Sequence, residues 1–128
     1  MPYRVFIDGQ EGTTGLRIHE RLAERKDPEL IKIAPEKRKE PAERKRLMDQ
    51  ADVVFLCLPD AAAKEAVGLI ENPKTRVIDA STAHRTDPEW VYGFPELCPG
   101  QREAVSKAKR IANPGCYATG FLSLARAL

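Results

Sequence analysis

The chain has 128 residues, 42% of them hydrophobic and 31% charged, with a net charge of +2. That balance suits one soluble globular domain with a real core. The small charge, without interleaved aromatic and basic residues, argues against nucleic acid, and no apolar run nears the ~18 residues of a membrane span.

Tyr3 to Asp8 (YRVFID) reads as a strand buried on both faces, hence parallel. It runs into Gly9, Gly12 and Gly15 of GQEGTTG, and then into a helical stretch with Ile18 and Leu22 on one face. A strand, a glycine-rich turn and a helix make the mononucleotide-binding unit. Its glycines allow a tight turn, close approach to a pyrophosphate and close helix packing. Thr13 and Thr14 offer hydroxyls at the helix start, where an anion is favoured. The spacing departs from GxGxxG, and a merely tight turn is the competing reading.

Leu30 to Ala34 (LIKIA) predicts the second strand. Its end faces the adenosine ribose in such folds, where an acidic residue selects NAD and basic ones accept a 2′-phosphate. Glu36 is followed by Lys37, Arg38 and Lys39, which leans towards NADP; a solvated charge run is the alternative. Pro41 opens a charged helix ending near Gln50, expected only to cover a sheet edge. Asp52 to Leu58 (DVVFLCL) is the strongest strand, with Cys57 as inert packing inside it. Pro59 stops it, and Asp60 is the expected N-cap of a helix packing through Ala62, Ala66, Leu69 and Ile70.

Arg76 to Ala80 is a further strand, ending in Ser81, Thr82, Ala83, His84 and Arg85. Hydroxyls and an Arg at a strand end suit a phosphate or carboxylate; a capped surface loop is the other reading. Trp90 to Glu96 reads as an irregular packed segment, followed by a short helix near Gln101 to Lys107 and a strand over Arg110 to Ala112. The alternation of elements predicts an α/β fold, a Rossmann-like doubly wound parallel sheet.

The last stretch, IANPGCYATG, organises the rest. Pro114 biases Asn113 towards extended backbone and Gly115 removes a side chain, so a turn after the strand is expected. Cys116 then starts a helix whose buried face is Leu122, Leu124, Ala125 and Leu128. A helix N-terminus favours the thiolate, making Cys116 a candidate nucleophile; a small buried hydrophobe is the alternative. The three cysteines, Cys57, Cys98 and Cys116, are odd in number and never spaced CxxC. Neither a disulfide frame nor a metal site is expected, and a reducing cytoplasm is the natural home. The chain opens directly on a strand, which argues against a secretory signal, and it stops inside a helical pattern, which suggests a domain of something longer.

The stretches VFIDGQEGTTG, FLCLPD, VIDASTAHR, YGFPEL and NPGCYATG together resemble the short type of N-acetyl-gamma-glutamyl-phosphate reductase. The resemblance implies an NADP-binding domain ahead of an α+β domain that makes homo-oligomer contacts. It also implies reductive dephosphorylation of a small acyl phosphate, N-acetylglutamyl 5-phosphate, through a Cys116 thioester. Gly9, Gly12 and Gly15, with Thr13 and Thr14, would hold the pyrophosphate and Arg38 the 2′-phosphate, while Pro59 and Ser81 would face the nicotinamide half. Arg85 would take the substrate's phosphate or carboxylate, and Asn113 would orient its acyl group. The family's histidine acid/base belongs to the second domain. His19 reads as a helix residue, and no motif makes His84 the base. An aspartate-semialdehyde dehydrogenase-like enzyme and a non-catalytic nucleotide-binding module are the rival readings.

Overall fold

The computed structural model describes residues 3–9 and 12–126. Six parallel strands form one sheet: β1 (Tyr3–Asp8), β2 (Pro28–Ile31), β3 (Val53–Leu56), β4 (Arg76–Asp79), β5 (Val91–Tyr92) and β6 (Arg110–Ala112), in the order β2-β1-β3-β4-β6-β5. Five α-helices are described: α1 (Thr13–Ala23), α2 (Pro41–Gln50), α3 (Asp60–Leu69), α4 (Gln101–Lys107) and α5 (Cys116–Ala125), with one 3₁₀ turn at Pro35–Lys37. The Rossmann-like doubly wound α/β architecture is therefore the observed one. The chain lays β2 to one side of β1 and β3 to the other, so a topological switch point lies between β1 and β3. Open α/β sheets bind ligands there, outside the carboxyl ends of the strands.

Side-chain alternation along the register explains the core. Phe6, Val54 and Val77 are aligned neighbours on β1, β3 and β4, and all three are buried. Leu47 and Met48 of α2 and Ala63 and Ala66 of α3 close over them. Thr75, fully buried, donates its hydroxyl to the Ala51 carbonyl at 3.0 Å and ties the end of α2 to the start of β4. Two residues further along, on the same face, lie Asp8, Leu56, Asp79 and Ala112, all buried. This row places two carboxylates at the carboxyl edge of the sheet.

Several expected details are corrected. The second strand lies at Pro28–Ile31 rather than over Leu30 to Ala34, and β3 ends at Leu56, so Cys57 stands just beyond it. Asp60 is the first residue of α3, not its cap. Pro59 holds the cap position, and the Asp60 carboxylate instead accepts bonds from the Thr82 amide and hydroxyl. Ala63, not named from the sequence, is buried beside Ala66. Helix α2 is no mere cover, since Arg44, Leu47 and Met48 form a buried stripe. The segment from Trp90 contributes a short edge strand. Helix α5 buries no residue: Leu124 and Ala125 are exposed, Leu122 is half-buried, and Leu128 lies outside the described residues.

Candidate active site

The carboxyl edge of the sheet carries two linked regions. The first is the glycine turn after β1. Gly9 has φ +87°, a backbone conformation natural only to glycine, and a Cβ there would stand 2.3 Å from the Cys57 carbonyl oxygen. The Gly9 carbonyl accepts the Gly12 amide at 3.0 Å, and Gly12 caps α1. Gly15 is the buried residue of α1, so it serves helix–sheet packing, while Thr13 and Thr14 are exposed in the first turn. Gln10 and Glu11 lie outside the described residues.

Beside this turn, at the β1/β3 switch, is a cleft of about 270 Å³ lined by Gly9, Ile33, Leu58, Arg38, Lys39 and Arg44 among others. Apolar walls with several cations among the lining residues suit a nucleotide. Its floor is a buried ion pair that the sequence reading missed: Arg44 Nη2 and Nε donate to Asp8 Oδ2 at 2.6 and 3.1 Å. A carboxylate closing an apolar strand was the available signal, because such a charge must find a cation. Truncating one partner of a buried pair costs about 3–5 kcal/mol. Arg44→Met should accordingly lower the urea midpoint by that equivalent, and a midpoint within error of the parent would show that the pair adds nothing.

The second region is built on β4 and β6. Asp79, fully buried, ends β4, and its carbonyl accepts the Asn113 amide at 2.8 Å. Its carboxylate accepts the Ser81 amide at 2.9 Å and the Ser81 hydroxyl at 2.8 Å, and faces His84 Nδ1 at 2.6 Å. The His84 ring stacks on Trp90 with centroids 4.0 Å apart. Arg85 leaves this turn and spans the gap to β6. Its Nε donates to the Asn113 carbonyl at 3.1 Å and its Nη2 to the Ala80 carbonyl at 3.3 Å. The remaining nitrogen, Nη1, lies where a Gly115 Cβ would be, 2.6 Å from that ideal position. Gly115 is thus small because a guanidinium lies over it.

Cys116 follows immediately, exposed, as the first residue of α5. The first-turn amides of α5 have no intrahelical acceptors and can receive a developing oxyanion. Cys57 is different: burial, with Asp8 and Asp79 nearby, pushes its thiol up to about 11, so it stays protonated at neutral pH. Arg85, Asn113 and Cys116 therefore come together, and Ser81 and Pro59 stand on the neighbouring strand ends. The Ser81 hydroxyl is committed to Asp79 and to the Ala83 amide, and the Asn113 side chain donates to the Pro114 carbonyl at 3.3 Å. His19 lies half-buried on α1. From the end of β1 to the end of β6 is three strand spacings, roughly 14 Å. Among the described residues no group of three His, Cys, Asp or Glu could hold a metal ion, and no helix is long and apolar enough to cross a membrane.

Comparison with known proteins bears on the family and the fold. The chain is 56% identical over 97% of its length to the N-acetyl-gamma-glutamyl-phosphate reductase of Burkholderia ambifaria, and 56% identical over 98% to that of Trichormus variabilis. It is 54% identical over its whole length to that of Chelativorans sp.. It spans 39% of the first two relatives and 41% of the third. The resemblance read from the motifs is thus the resemblance found. In fold, aspartate semialdehyde dehydrogenase II of Vibrio cholerae superposes with a TM-score of 0.69 over 95% of this chain and 41% of that one, at 22% identity. The Francisella tularensis enzyme gives 0.67 over 96% and 39%, at 20% identity. Residues 4–108 match the family described as semialdehyde dehydrogenase, NAD binding domain. The chain belongs to that family.

Proposed function

We propose that this chain is the cofactor-binding and nucleophile-bearing part of an N-acetyl-gamma-glutamyl-phosphate reductase, converting N-acetylglutamyl 5-phosphate to N-acetylglutamate 5-semialdehyde in arginine biosynthesis. The observation that carries the reading is the Arg85 guanidinium laid against Gly115, one residue from the exposed Cys116. A thiol one residue from an anchored cation, at the start of a helix, suits attack on an acyl group whose leaving group is an anion. Cys116 Sγ adds to the acyl carbon while its proton passes to the acid/base, and the tetrahedral oxyanion then collapses with cleavage of the carbon–oxygen bond to phosphate. Arg85 receives the departing phosphate, first-turn amides of α5 hold the oxyanion, and Asn113 orients the acyl group.

The residues present fit a phosphorylated dinucleotide. Gly9 leaves room where a side chain would collide, Gly12, Thr13, Thr14 and Gly15 form the helix start beside it, and Arg38 and Lys39 line the cleft. Pro59 and Ser81 would border the nicotinamide half. NADPH, when bound, supplies the hydride that reduces the thioester to the aldehyde and frees the thiol. The histidine acid/base and the oligomer contacts belong to a second domain in the longer protein, a cytoplasmic homo-oligomer. This chain alone should bind cofactor and turn over little.

The test is an assay of the full-length protein in the reverse direction, with phosphate, NADP and each semialdehyde. N-acetylglutamate semialdehyde should be preferred over aspartate semialdehyde by about 10² or more. The opposite preference would overturn the substrate. In the same protein, replacing Arg38 and Lys39 by Ala should weaken NADP binding about tenfold or more and leave NAD binding unchanged. Equal losses for both cofactors would contradict an NADP preference.

A further inference from the structure

Arg85 is aimed by the turn that precedes it. The turn from Ala80 to Arg85 folds around one carboxylate, that of Asp79, which takes bonds from Ser81 and His84. Asp79 also fixes the other anchor of the guanidinium, because its carbonyl holds the Asn113 amide and the Asn113 carbonyl accepts Arg85 Nε. His84 is buried between this carboxylate and the Trp90 ring, with the two ring planes 12° apart. On the opposite side Thr82 is gripped by Asp60 at the start of α3. His84 immediately precedes Arg85, so a shift of the imidazole carries the Arg85 backbone with it.

We propose that Asp79 and His84 are positioning residues that set the Arg85 guanidinium over Gly115, and so give the Cys116 thiol its preference for anionic partners. The imidazole supplies a donor to a carboxylate that would otherwise be buried with fewer bonds, and the Trp90 stack fixes the ring plane. Both restraints converge on one backbone step. Neither residue needs to touch substrate. The inference rests on the reading of Arg85 as an anion subsite beside Cys116.

The test compares alkylation of the purified protein by iodoacetate, an anion, and iodoacetamide, its neutral analogue, read peptide by peptide. Exposed Cys98 in the same chain is the reference. The iodoacetate-to-iodoacetamide rate ratio at Cys116 should exceed that at Cys98 about threefold or more, as expected for a cation close to the thiol. Arg85→Ala should bring it down to the Cys98 value. His84→Phe keeps a ring against Trp90 but loses the donor; it should fall as far, and the double variant no further. His84→Asn, whose amide can donate in place of Nδ1, should recover most of the parent ratio, a rescue that a purely structural role would not produce.

A parent-like ratio in His84→Phe, with the ratio lost in Arg85→Ala, overturns the positioning role alone. A parent ratio no higher than that of Cys98 overturns the anion subsite and the positioning role together. If His84→Phe does not fold, Ser81→Ala is the smaller lesion in the same turn. A partial drop there supports the role, and an unchanged ratio overturns it.

Discussion

Cys116→Ser in the full-length protein is expected to abolish aldehyde formation, by a factor on the order of 10⁴–10⁶, while leaving NADP affinity nearly intact. The two regions of the sheet edge are separate in space. The cleft beside the glycine turn is lined by the end of β1, Ile33 and the 35–39 segment, Arg44 of α2 and the residues after β3, whereas Cys116 stands beyond β6, at the start of a helix that contributes nothing to that lining. A serine hydroxyl is a far weaker nucleophile at neutral pH, and no described base lies ready to activate it. Measuring kcat beside the cofactor Kd separates the outcomes. Retained turnover removes the covalent mechanism, and a large loss of NADP affinity would mean that the thiol supports the cleft instead. The same contrast separates the cysteines, since iodoacetamide should modify exposed Cys116 well ahead of Cys57, whose thiol is held protonated.

Gly9→Ala should be the most damaging single methyl in the domain. The new Cβ would sit 2.3 Å from the Cys57 carbonyl oxygen and 2.9 Å from its carbon, both backbone atoms that cannot swing aside, at φ +87°. The β1–β3 junction, where the Cys57 amide bonds the Asp8 carbonyl at 2.9 Å, must open to admit it. A loss of about 3 kcal/mol or more follows, with a Tm lower by roughly 10 °C and weaker nucleotide binding. Gly68→Ala is the control: nothing lies within 4 Å of its Cβ, inside α3, so the change should raise stability by up to about 1 kcal/mol. Equal thermal midpoints for both variants would contradict the assigned turn.

How far the sequence was readable depended on whether a residue's partner was local. The unit β1–turn–α1 and the NPGC turn are set by neighbours in sequence, through Gly9, Gly12, Pro114 and Gly115, and both stand where their residues predict. Helix α2 was underrated because its inward stripe runs Arg44, Leu47, Met48, and a cation in the first place disguises the i, i+3, i+4 pattern. That arginine is buried only because Asp8 lies 36 positions away. Asp79 escaped notice similarly, although a carboxylate closing the apolar run RVID carries the same signal as the one closing YRVFID. In α5 the failure is of another kind. The expected face, Leu122, Leu124, Ala125 and Leu128, is not buried where it is described, and Tyr117 and Phe121 beside it are 92% and 70% exposed. Periodicity says that such a face is made to be covered, but not that residues of this chain cover it.

Acyl transfer from phosphate to Cys116 is tested most directly by mixing the full-length protein with N-acetylglutamyl phosphate in the absence of NADPH. The expected result is a burst of about one phosphate per subunit and an acyl adduct mapped by mass spectrometry to Cys116, both absent in Cys116→Ser. Phosphate release without an adduct at Cys116, or an adduct on another residue, would contradict it.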